Sequence, residues 1–284
     1  GLAVAIGFQS GLFNIGGEGQ LYWGALTTAV IAISFPQTPG FLLIFLSLFA
    51  GALAGGIWGG IPGYLKAKSG AHEVITTIMF NYIAIFLTTF LLKSFFAEGG
   101  MIDQTVRIPE SVRLAEIIPY TRLTWAIFIA FFIVLLFDLL FRKSSIGYDI
   151  QAVGQNSSAA EYAGINSSKI TTLTMFLSGA VAGLAGSIMV LGVLHRFITN
   201  FSPGYGFTGI AVAVLGRNRP WGVLLAALLF GALEAGGMSM QLFARIPSDL
   251  MTIVQGLVIL FVAAPSLFKF LSKYTRKKGV ALGE

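Results

Sequence analysis

The stretch that decides the fold is Phe41–Leu65, which reads FLLIFLSLFAGALAGGIWGGIPGYL and contains no charged residue. A helix needs about 20 mostly apolar residues to cross the hydrocarbon core of a bilayer, so this segment alone predicts a transmembrane helix. The whole chain of 284 residues agrees, because 56% of its residues are hydrophobic and only 11% are charged. Soluble domains carry about 25% charged residues, so this composition argues against a soluble globular enzyme.

Other apolar runs extend this pattern along the chain. Five more are counted as long candidates, and three are shorter. The long ones are Val74–Leu92, Thr124–Phe141, Thr171–Leu194, Gly222–Gly236 with its flanks, and Leu250–Phe268; the short ones are Gly1–Phe8, Leu21–Phe35 and Phe207–Gly216. Short runs of this kind are typical of broken or re-entrant helices, which need protein or a cavity around their free backbone groups. We therefore predict an all-α polytopic bundle, with residues 1–284 as one transmembrane domain that lacks at least one earlier helix.

The charged residues lie in short loops and predict the orientation. If the spans alternate, 12 of the 18 basic residues fall on one side, against three acids. These basic residues are Lys66, Lys68, Arg142, Lys143, Lys169, Arg217, Arg219, Lys269, Lys273, Arg276, Lys277 and Lys278. The positive-inside rule assigns that side to the cytoplasm. The loop 93–123, with four basic and four acidic residues, is then extracytoplasmic.

A short sequence word occurs twice in the chain. Gly1–Gly7 reads GLAVAIG, and Gly209–Gly216 reads GIAVAVLG. Each copy leads into a polar turn, Phe13–Gln20 or Arg217–Pro220, and then into an apolar span. Interrupted segments at matching places in two halves point to a transport pathway, although small apolar words also recur by chance in membrane proteins.

The polar loop 142–170 contains a signal for a short helix. Asn156 or Ser157 can cap its start, and Gly164 can stop it, which leaves room for about two turns. A helix this short is unstable alone in water, so it needs the membrane domain, the lipid surface or a partner protein to pack on. Its small residues Ala159, Ala160 and Ala163 suit a groove in another protein.

Four motifs resemble the permease subunits of bacterial ABC importers of the ribose and branched-chain amino acid type. They are Ala152–Asn156 with Ala159, Ala160, Gly164 and Ile165; Phe13–Gln20; Gly206–Gly222; and Glu73–Ile83. The last motif is more similar to the nucleoside-importing branch than to the ribose branch. The resemblance runs in order along nearly the whole chain.

This resemblance implies a machine of several subunits in the bacterial plasma (inner) membrane. It implies nucleoside import by alternating access, with ribose or another simple sugar as the alternative solute. The implied partners are an ABC ATPase that holds ATP and Mg, a second permease taken as a paralogue, an extracytoplasmic solute-binding lipoprotein and the bilayer; no nucleic acid is expected. The implied ATPase-docking residues are Asn156, Ala159, Ala160, Glu161, Gly164 and Ile165 in the coupling loop 142–170.

The chain lacks the motifs of common catalytic sites. It has no G-x-x-x-x-G-K-[ST] word, no H-E-x-x-H, no G-x-S-x-G and no Cys, and its two His are far apart. We therefore expect no enzyme activity, cofactor or metal in this chain. An ion-coupled secondary transporter is a weaker alternative, because it normally shows coupling acids in its broken helices, and Glu18 is thin support. A channel or structural membrane protein is a third class, which predicts flux without energy input.

Polar and aromatic residues near the predicted breaks are candidates for the substrate pathway. They are Phe13, Asn14, Glu18, Gln20, Trp23, Asn81, Phe207 and Glu234. Intramembrane acids are functional suspects by default, yet Glu18 is favoured as a structural brace over a substrate ligand. The Asn81 amide can pair with a nucleobase or ribose, and aromatic rings can stack on a base, although most of the 25 Phe face lipid or core. Glu234 either lines an external vestibule or is a solvated interfacial acid.

Overall fold

The structure is a computed structural model that describes residues 1–118, 121, 123–244, 247, 250, 253–258 and 260–261. Within these residues the chain is helical, and extended pairing is limited to isolated bridges. The all-α prediction is confirmed. The chain divides into two compact units, Gly1–Leu224 and Leu225–Glu284.

The described residues form ten α-helices. They are α1 Leu2–Gln9, α2 Gly17–Ser34, α3 Gly40–Ser69, α4 Glu73–Leu91, α5 Ala126–Lys143, α6 Ser145–Gln155, α7 Ser157–Tyr162, α8 Ser167–Met189, α9 Tyr205–Leu215 and α10 Pro220–Ala244. π-Helical turns extend α4 over Leu92–Phe96 and α8 over Val190–Leu194. Four helices are long and apolar enough to cross a membrane: α3, α4 with its π turn, α8 with its π turn, and α10. Much of the predicted span Leu250–Phe268 and the basic tail lie outside the described residues.

Helices α2, α3 and α8 form the centre of the first unit. Glycines bring their backbones into direct contact: a Cβ at Gly24 would overlap Gly183 of α8, and one at Gly55 would lie 2.5 Å from the carbonyl oxygen of Gly179. Thr28 and Ser187 share a buried hydrogen bond of 2.7 Å between α2 and α8. Close packing through small residues is the usual way in which transmembrane helices associate.

The helices differ from the predicted pattern at two places. The short run Leu21–Phe35 belongs to the full 18-residue helix α2, because the polar residues Gly17–Gln20 form its first turn instead of a loop. The loop 142–170 contains a second helix, α6, which precedes the predicted one. Ser144 caps α6 by accepting from the Gly147 N–H at 3.0 Å, and the helix buries Ile150 and Val153.

The predicted external loop packs on the end of this core. Backbone hydrogen bonds join it to the residues at the end of α8: Thr105 to Phe197, Ile108 to His195 and Leu114 to Leu191, each with an N–H donor at 2.9 Å from the carbonyl oxygen. Ile108, Val112 and Leu114 are buried in the same apolar cluster as residues of α2 and α3. The loop therefore covers the end of the bundle opposite Lys68.

Candidate functional site

Two half-length helices, α1 and α9, lie side by side in the first unit. They contain 8 and 11 residues, or ~12 Å and ~16 Å at the α-helical rise, so neither crosses a hydrocarbon core of about 30 Å. Gly209 packs against Gly1, and eight residues further along the Gln9 amide donates to the Asn218 carbonyl oxygen at 2.8 Å. The two copies of the repeated word are therefore neighbours that run in the same direction.

The start of α2 is held by the side chain of Asn81 on α4. Its Oδ1 accepts from the Gly19 N–H at 2.8 Å, and its Nδ2 donates to the Ile15 carbonyl oxygen at 2.9 Å. Asn81 is 2% exposed. The first N–H groups of a helix have no partner within the helix, so this amide satisfies one of them. The geometry gives Asn81 a bracing role, and its contact with a nucleobase or ribose stays a prediction.

Asn14 and Gln20 form a second buried bracket across the break between α1 and α2. The Asn14 Nδ2 donates to the Gln20 Oε1 at 2.9 Å and to the Ser178 Oγ at 2.7 Å, and the Gln20 Nε2 donates to the Asn14 Oδ1 at 3.0 Å. The Ser178 hydroxyl, on α8, donates in turn to the Ala3 carbonyl oxygen in α1 at 2.6 Å. The interrupted backbone is thereby tied to the long helix α8.

Glu18 connects the two interrupted regions. Its Oε2 accepts from the Gly206 N–H, in the first turn of α9, at 2.6 Å. A carboxylate at a helix N-terminus bonds an orphan N–H and opposes the positive end of the helix dipole. Any Cβ at Gly206 would overlap the backbone of Glu18, so glycine is what permits this approach. Glu18 thus acts as a brace between α2 and α9.

The aromatic candidates separate into two kinds. Phe13 and Phe207 are exposed, at 52% and 48% of their surface, and they stand at the two interrupted regions. Trp23 instead packs on Trp58, with ring centroids 5.1 Å apart, and Trp58 continues onto Phe80. The sequence does not distinguish Phe13, Trp23 and Phe207, because they differ in the exposure of their rings, which only the structure shows. Their contact with substrate stays a prediction.

Glu234 belongs to the second unit, where it is partly buried on α10. Its role as a vestibule residue stays a prediction. Of the other acids, Asp138 pairs with Arg142 at 3.0 Å, and Glu73 pairs with Lys66 at 2.9 Å. Within the described ranges, no group of three His, Cys, Asp or Glu side chains is placed to hold a metal ion.

The short helix of the coupling loop has the predicted caps. Asn156 Oδ1 accepts from the Ala159 N–H at 3.0 Å at its start. At its end Gly164 has a φ of +86°, its N–H donates to the Glu161 carbonyl oxygen at 2.9 Å, and the Ile165 N–H donates to the Ala160 carbonyl oxygen at 2.9 Å. This pair of bonds is the Schellman motif that ends many helices. The two caps therefore define both ends of α7, which has about one and a half turns.

The six expected docking residues do not share one face. Ala160 is 4% exposed and packs with Ile150, Val153 and Ile170, with Ile165 against the same cluster. Ala160 and Ile165 therefore anchor α7 to α6 and α8. Contact of the six residues with an ATPase stays a prediction. Asn156, Ala159, Glu161 and Gly164 are exposed.

Tyr162 is the residue that sequence reasoning missed on this helix. It is 96% exposed at the end of α7. A large aromatic side chain in water is the usual anchor of a protein interface. Its place two residues before the predicted stop residue Gly164 was the available signal.

A second missed feature is the contact between α6 and the break after α1. A Cβ at Gly154 would overlap the Gln9 carbonyl oxygen and would lie 2.8 Å from the Ser10 Cα. The coupling loop therefore touches the interrupted helix directly, backbone against backbone. The contact joins residues more than 140 positions apart in the chain, and no local pattern in the sequence indicates it.

A bundle of apolar helices with two interrupted helices and a capped helix beyond its basic end defines a polytopic membrane transport protein. The chain belongs to the family described as branched-chain amino acid transport system / permease component, which matches residues 1–263. This confirms the family that the motifs predicted. The chain is therefore a multi-pass protein of the plasma membrane.

Three relatives match nearly the whole chain. The guanosine ABC transporter permease NupP of Bacillus subtilis is 40% identical over 98% of this chain and 81% of its own length. The nucleoside ABC transporter permease NupB of Lactococcus lactis is 36% identical, with the same coverage of each chain. The glucose ABC transporter permease TsgB13 of Haloferax volcanii is 35% identical over 95% of this chain and 73% of its own length.

Two of these organisms also contain a second, more distant relative. NupQ of Bacillus subtilis, a guanosine ABC transporter permease, is 28% identical over 84% of this chain and 78% of its own length. NupC of Lactococcus lactis, a nucleoside ABC transporter permease, is 26% identical over 92% of this chain and 85% of its own length. The permeases of this family thus occur as paralogues. No solved structure matches the chain.

Proposed function

We propose that the chain is the membrane-spanning permease subunit of an ATP-driven importer that carries nucleosides by alternating access. The observation that supports the solute is the near full-length similarity to relatives named for guanosine and for nucleosides. The glucose relative makes a simple sugar the competing solute. A paralogous permease is the natural second membrane subunit.

In this proposal the pathway passes the exposed rings at the interrupted helices. Phe13 and Phe207 offer aromatic faces to a nucleobase, and stacking accepts different bases because every base has a π-face. The buried residues Asn14, Gln20 and Asn81 hold the breaks in shape behind them. Passage requires release, so a weak and largely apolar path is appropriate.

Energy comes from a separate ATPase that binds ATP and Mg, and α7 docks on it. The docking face consists of the exposed residues Asn156, Ala159, Glu161 and Tyr162. Movement of the docked helix passes through the shared cluster to α6, and from Gly154 to the backbone at Gln9 and Ser10. On the opposite side, the solute-binding lipoprotein meets the external loop, where Met101 and Ile102 are exposed.

Uptake competition in a reconstituted complex tests the solute. Labelled guanosine is offered with an excess of unlabelled nucleosides, free bases, ribose or glucose. Nucleosides should compete, and the sugars and free bases should leave uptake unchanged. Competition by glucose or ribose alone would reject a nucleoside importer in favour of a sugar importer. Uptake that survives mutation of the ATPase Walker lysine would reject an ATP-driven machine.

Tyr162→Ala tests the docking face. The variant should weaken association with the ATPase tenfold or more, as the loss of an interface anchor does, while the permease stays folded. Tyr148→Ala removes another exposed tyrosine, which is 67% exposed on α6, and serves as the matched control. Equal association of both variants with the ATPase would remove Tyr162 from the interface. Ala160→Arg is unsuitable, because it places a charge inside the cluster that holds the loop together.

A further inference from the structure

A groove of about 790 Å³ runs along the outside of the α3–α8 pair. Its apolar part is lined by Ile57, Ile61, Leu173 and Phe176, and Gly60 leaves its floor open. Its polar part is lined by Tyr64, Lys68, Asn166, Ser168, Lys169 and Thr172. The volume lies within the range of about 300–1,000 Å³ that is usual for small-molecule sites.

The lining of the groove changes from apolar to charged along the direction of the membrane normal. From Ile57 to Lys68 it extends over eleven helical steps of α3, which is about 16 Å at the α-helical rise. A hydrocarbon core is about 30 Å thick, so the groove is as long as one leaflet. Its charged end lies where α3 ends and α8 begins, at the interface that the basic residues assign to the cytoplasm.

The charged residues that line the groove are all basic. Its lining contains two lysines and no Asp or Glu. Within the part of the chain that the structure describes, neither lysine has a carboxylate partner, whereas the neighbouring Lys66 is neutralised by Glu73. Lys68 lies over the Tyr64 ring at 5.9 Å from its centroid. The start of α8 adds the partial positive charge of a helix N-terminus at the same place.

We propose that this groove binds one anionic phospholipid of the cytoplasmic leaflet. The phosphate lies between Lys68 and Lys169, with the side chains of Asn166 and Ser168 as hydrogen-bond donors. An acyl chain follows Ile61 and Phe176 toward the middle of the membrane. Basic pockets between helices on the cytoplasmic side are known lipid sites, and a cationic end over an apolar slot matches a lipid better than a wholly apolar protein helix.

The test uses the full purified chain and measures lipid binding by native mass spectrometry. Phosphatidylglycerol is titrated into delipidated protein, with phosphatidylcholine as the zwitterionic comparison. Wild type should retain one phosphatidylglycerol in preference to phosphatidylcholine. Each lysine near the surface contributes about a fivefold gain in affinity for anionic lipid, so K68Q/K169Q should bind about 25-fold more weakly. K143Q removes a cytoplasmic lysine outside the groove and should bind as wild type does.

A second variant separates the slot from the charges. G60L keeps both lysines and fills the floor of the groove, and its first added carbon lies 3.7 Å from Phe176, an ordinary contact. It should lose phosphatidylglycerol although its net charge is unchanged. Unaltered binding in K68Q/K169Q or in G60L would overturn the proposal. So would displacement of the lipid by millimolar free phosphate, or cross-linking of L173C to another protein subunit in native membranes, since either result names a different occupant.

Discussion

At the scale of single residues, the polar side chains near the breaks mostly hold backbone rather than face an open path. Glu18, Asn14, Gln20 and Asn81 are all buried and all hydrogen-bonded within the chain. An unpaired polar group inside a bilayer costs on the order of several kcal/mol, so the free backbone groups of an interrupted helix require hydrogen-bonding side chains. The residue types at the breaks could be selected from sequence. The pairing across helices could not, because it joins the region of the first break to Asn81 on α4, Ser178 on α8 and Gly206 on α9.

Removal of the Glu18 carboxylate should loosen α9. Glu18→Ala loses a hydrogen bond to a charged acceptor, so the free energy of unfolding should fall by about 1.5–3 kcal/mol, and Glu18→Gln, which keeps an acceptor oxygen, should lose less. Thermal unfolding of the detergent-purified protein measures this. Glu110→Gln, at an exposed surface pair, should change stability by less than about 1 kcal/mol. An equal loss in the Glu18 and Glu110 variants would contradict a bracing role.

His195 gives the external loop a dependence on pH. Burial, and then the nearby Arg113 guanidinium, lower the pKa of His195 from its usual 6.5; Arg107 acts in the same direction and Glu116 opposes it. The unfolded chain therefore binds more protons than the folded one below pH 6.5. The stability that neutral His195 provides is fully present above that pH and is lost as the pH falls through the folded pKa.

Limited proteolysis of the loop at pH 7.5 and at pH 5 measures this effect. Cleavage within residues 97–118 should increase at the lower pH in wild type. His195→Asn should abolish the increase, because asparagine does not titrate and tolerates the left-handed backbone at this position, where φ is +57°. An increase of the same size in the variant would place the pH sensitivity elsewhere.

At the scale of elements, the sequence predicts what local chemistry determines. The caps of α7 follow from Asn156 and Gly164, whose side chain and left-handed backbone act within the helix itself. Helix α6 was missed because its composition is polar. Its two buried residues, Ile150 and Val153, are buried by packing on α7 and α8, which the local sequence does not indicate. Long apolar spans such as α3 are predicted well, since lipid selects for them directly: the predicted start at Phe41 is one residue from the observed one, while the helix continues four residues beyond Leu65 to Ser69.

The contact of α6 with the first break predicts a variant that separates ATP hydrolysis from uptake. Gly154→Ala forces a methyl group against the backbone of Gln9 and Ser10, which cannot move aside as a side chain can. Overpacking of this kind costs about 1–3 kcal/mol, so the break shifts relative to the loop. Nucleoside uptake per ATP hydrolysed should fall tenfold or more in reconstituted vesicles.

Gly231→Ala is the matched control for that measurement. It adds the same methyl group to a helix where no atom lies within 4 Å of it. Its ratio of uptake to ATP hydrolysis should equal that of wild type. If Gly154→Ala keeps the wild-type ratio as well, the α6 contact does not carry the coupling.

At the scale of the whole molecule, the basic residues and the loops predict the sidedness of the chain. Lys68 and Lys169 line one groove, and the external loop closes the other end of the same core. The chain contains no natural cysteine, so single introduced cysteines report accessibility without background. Tyr148→Cys, on α6, should react with an impermeant thiol reagent only in inside-out vesicles, and Met101→Cys only in intact cells. The reverse pattern would invert the orientation and remove the docking proposal.

The close fit of Gly154 against Gln9 and Ser10 also limits how hybrid transporters can be built. A graft that exchanges residues 142–170 alone between two relatives separates surfaces that were shaped for each other. A graft that also exchanges residues 8–12 keeps both contacting segments from the same protein. This second kind of hybrid is the one that should work with an ATPase from the other relative.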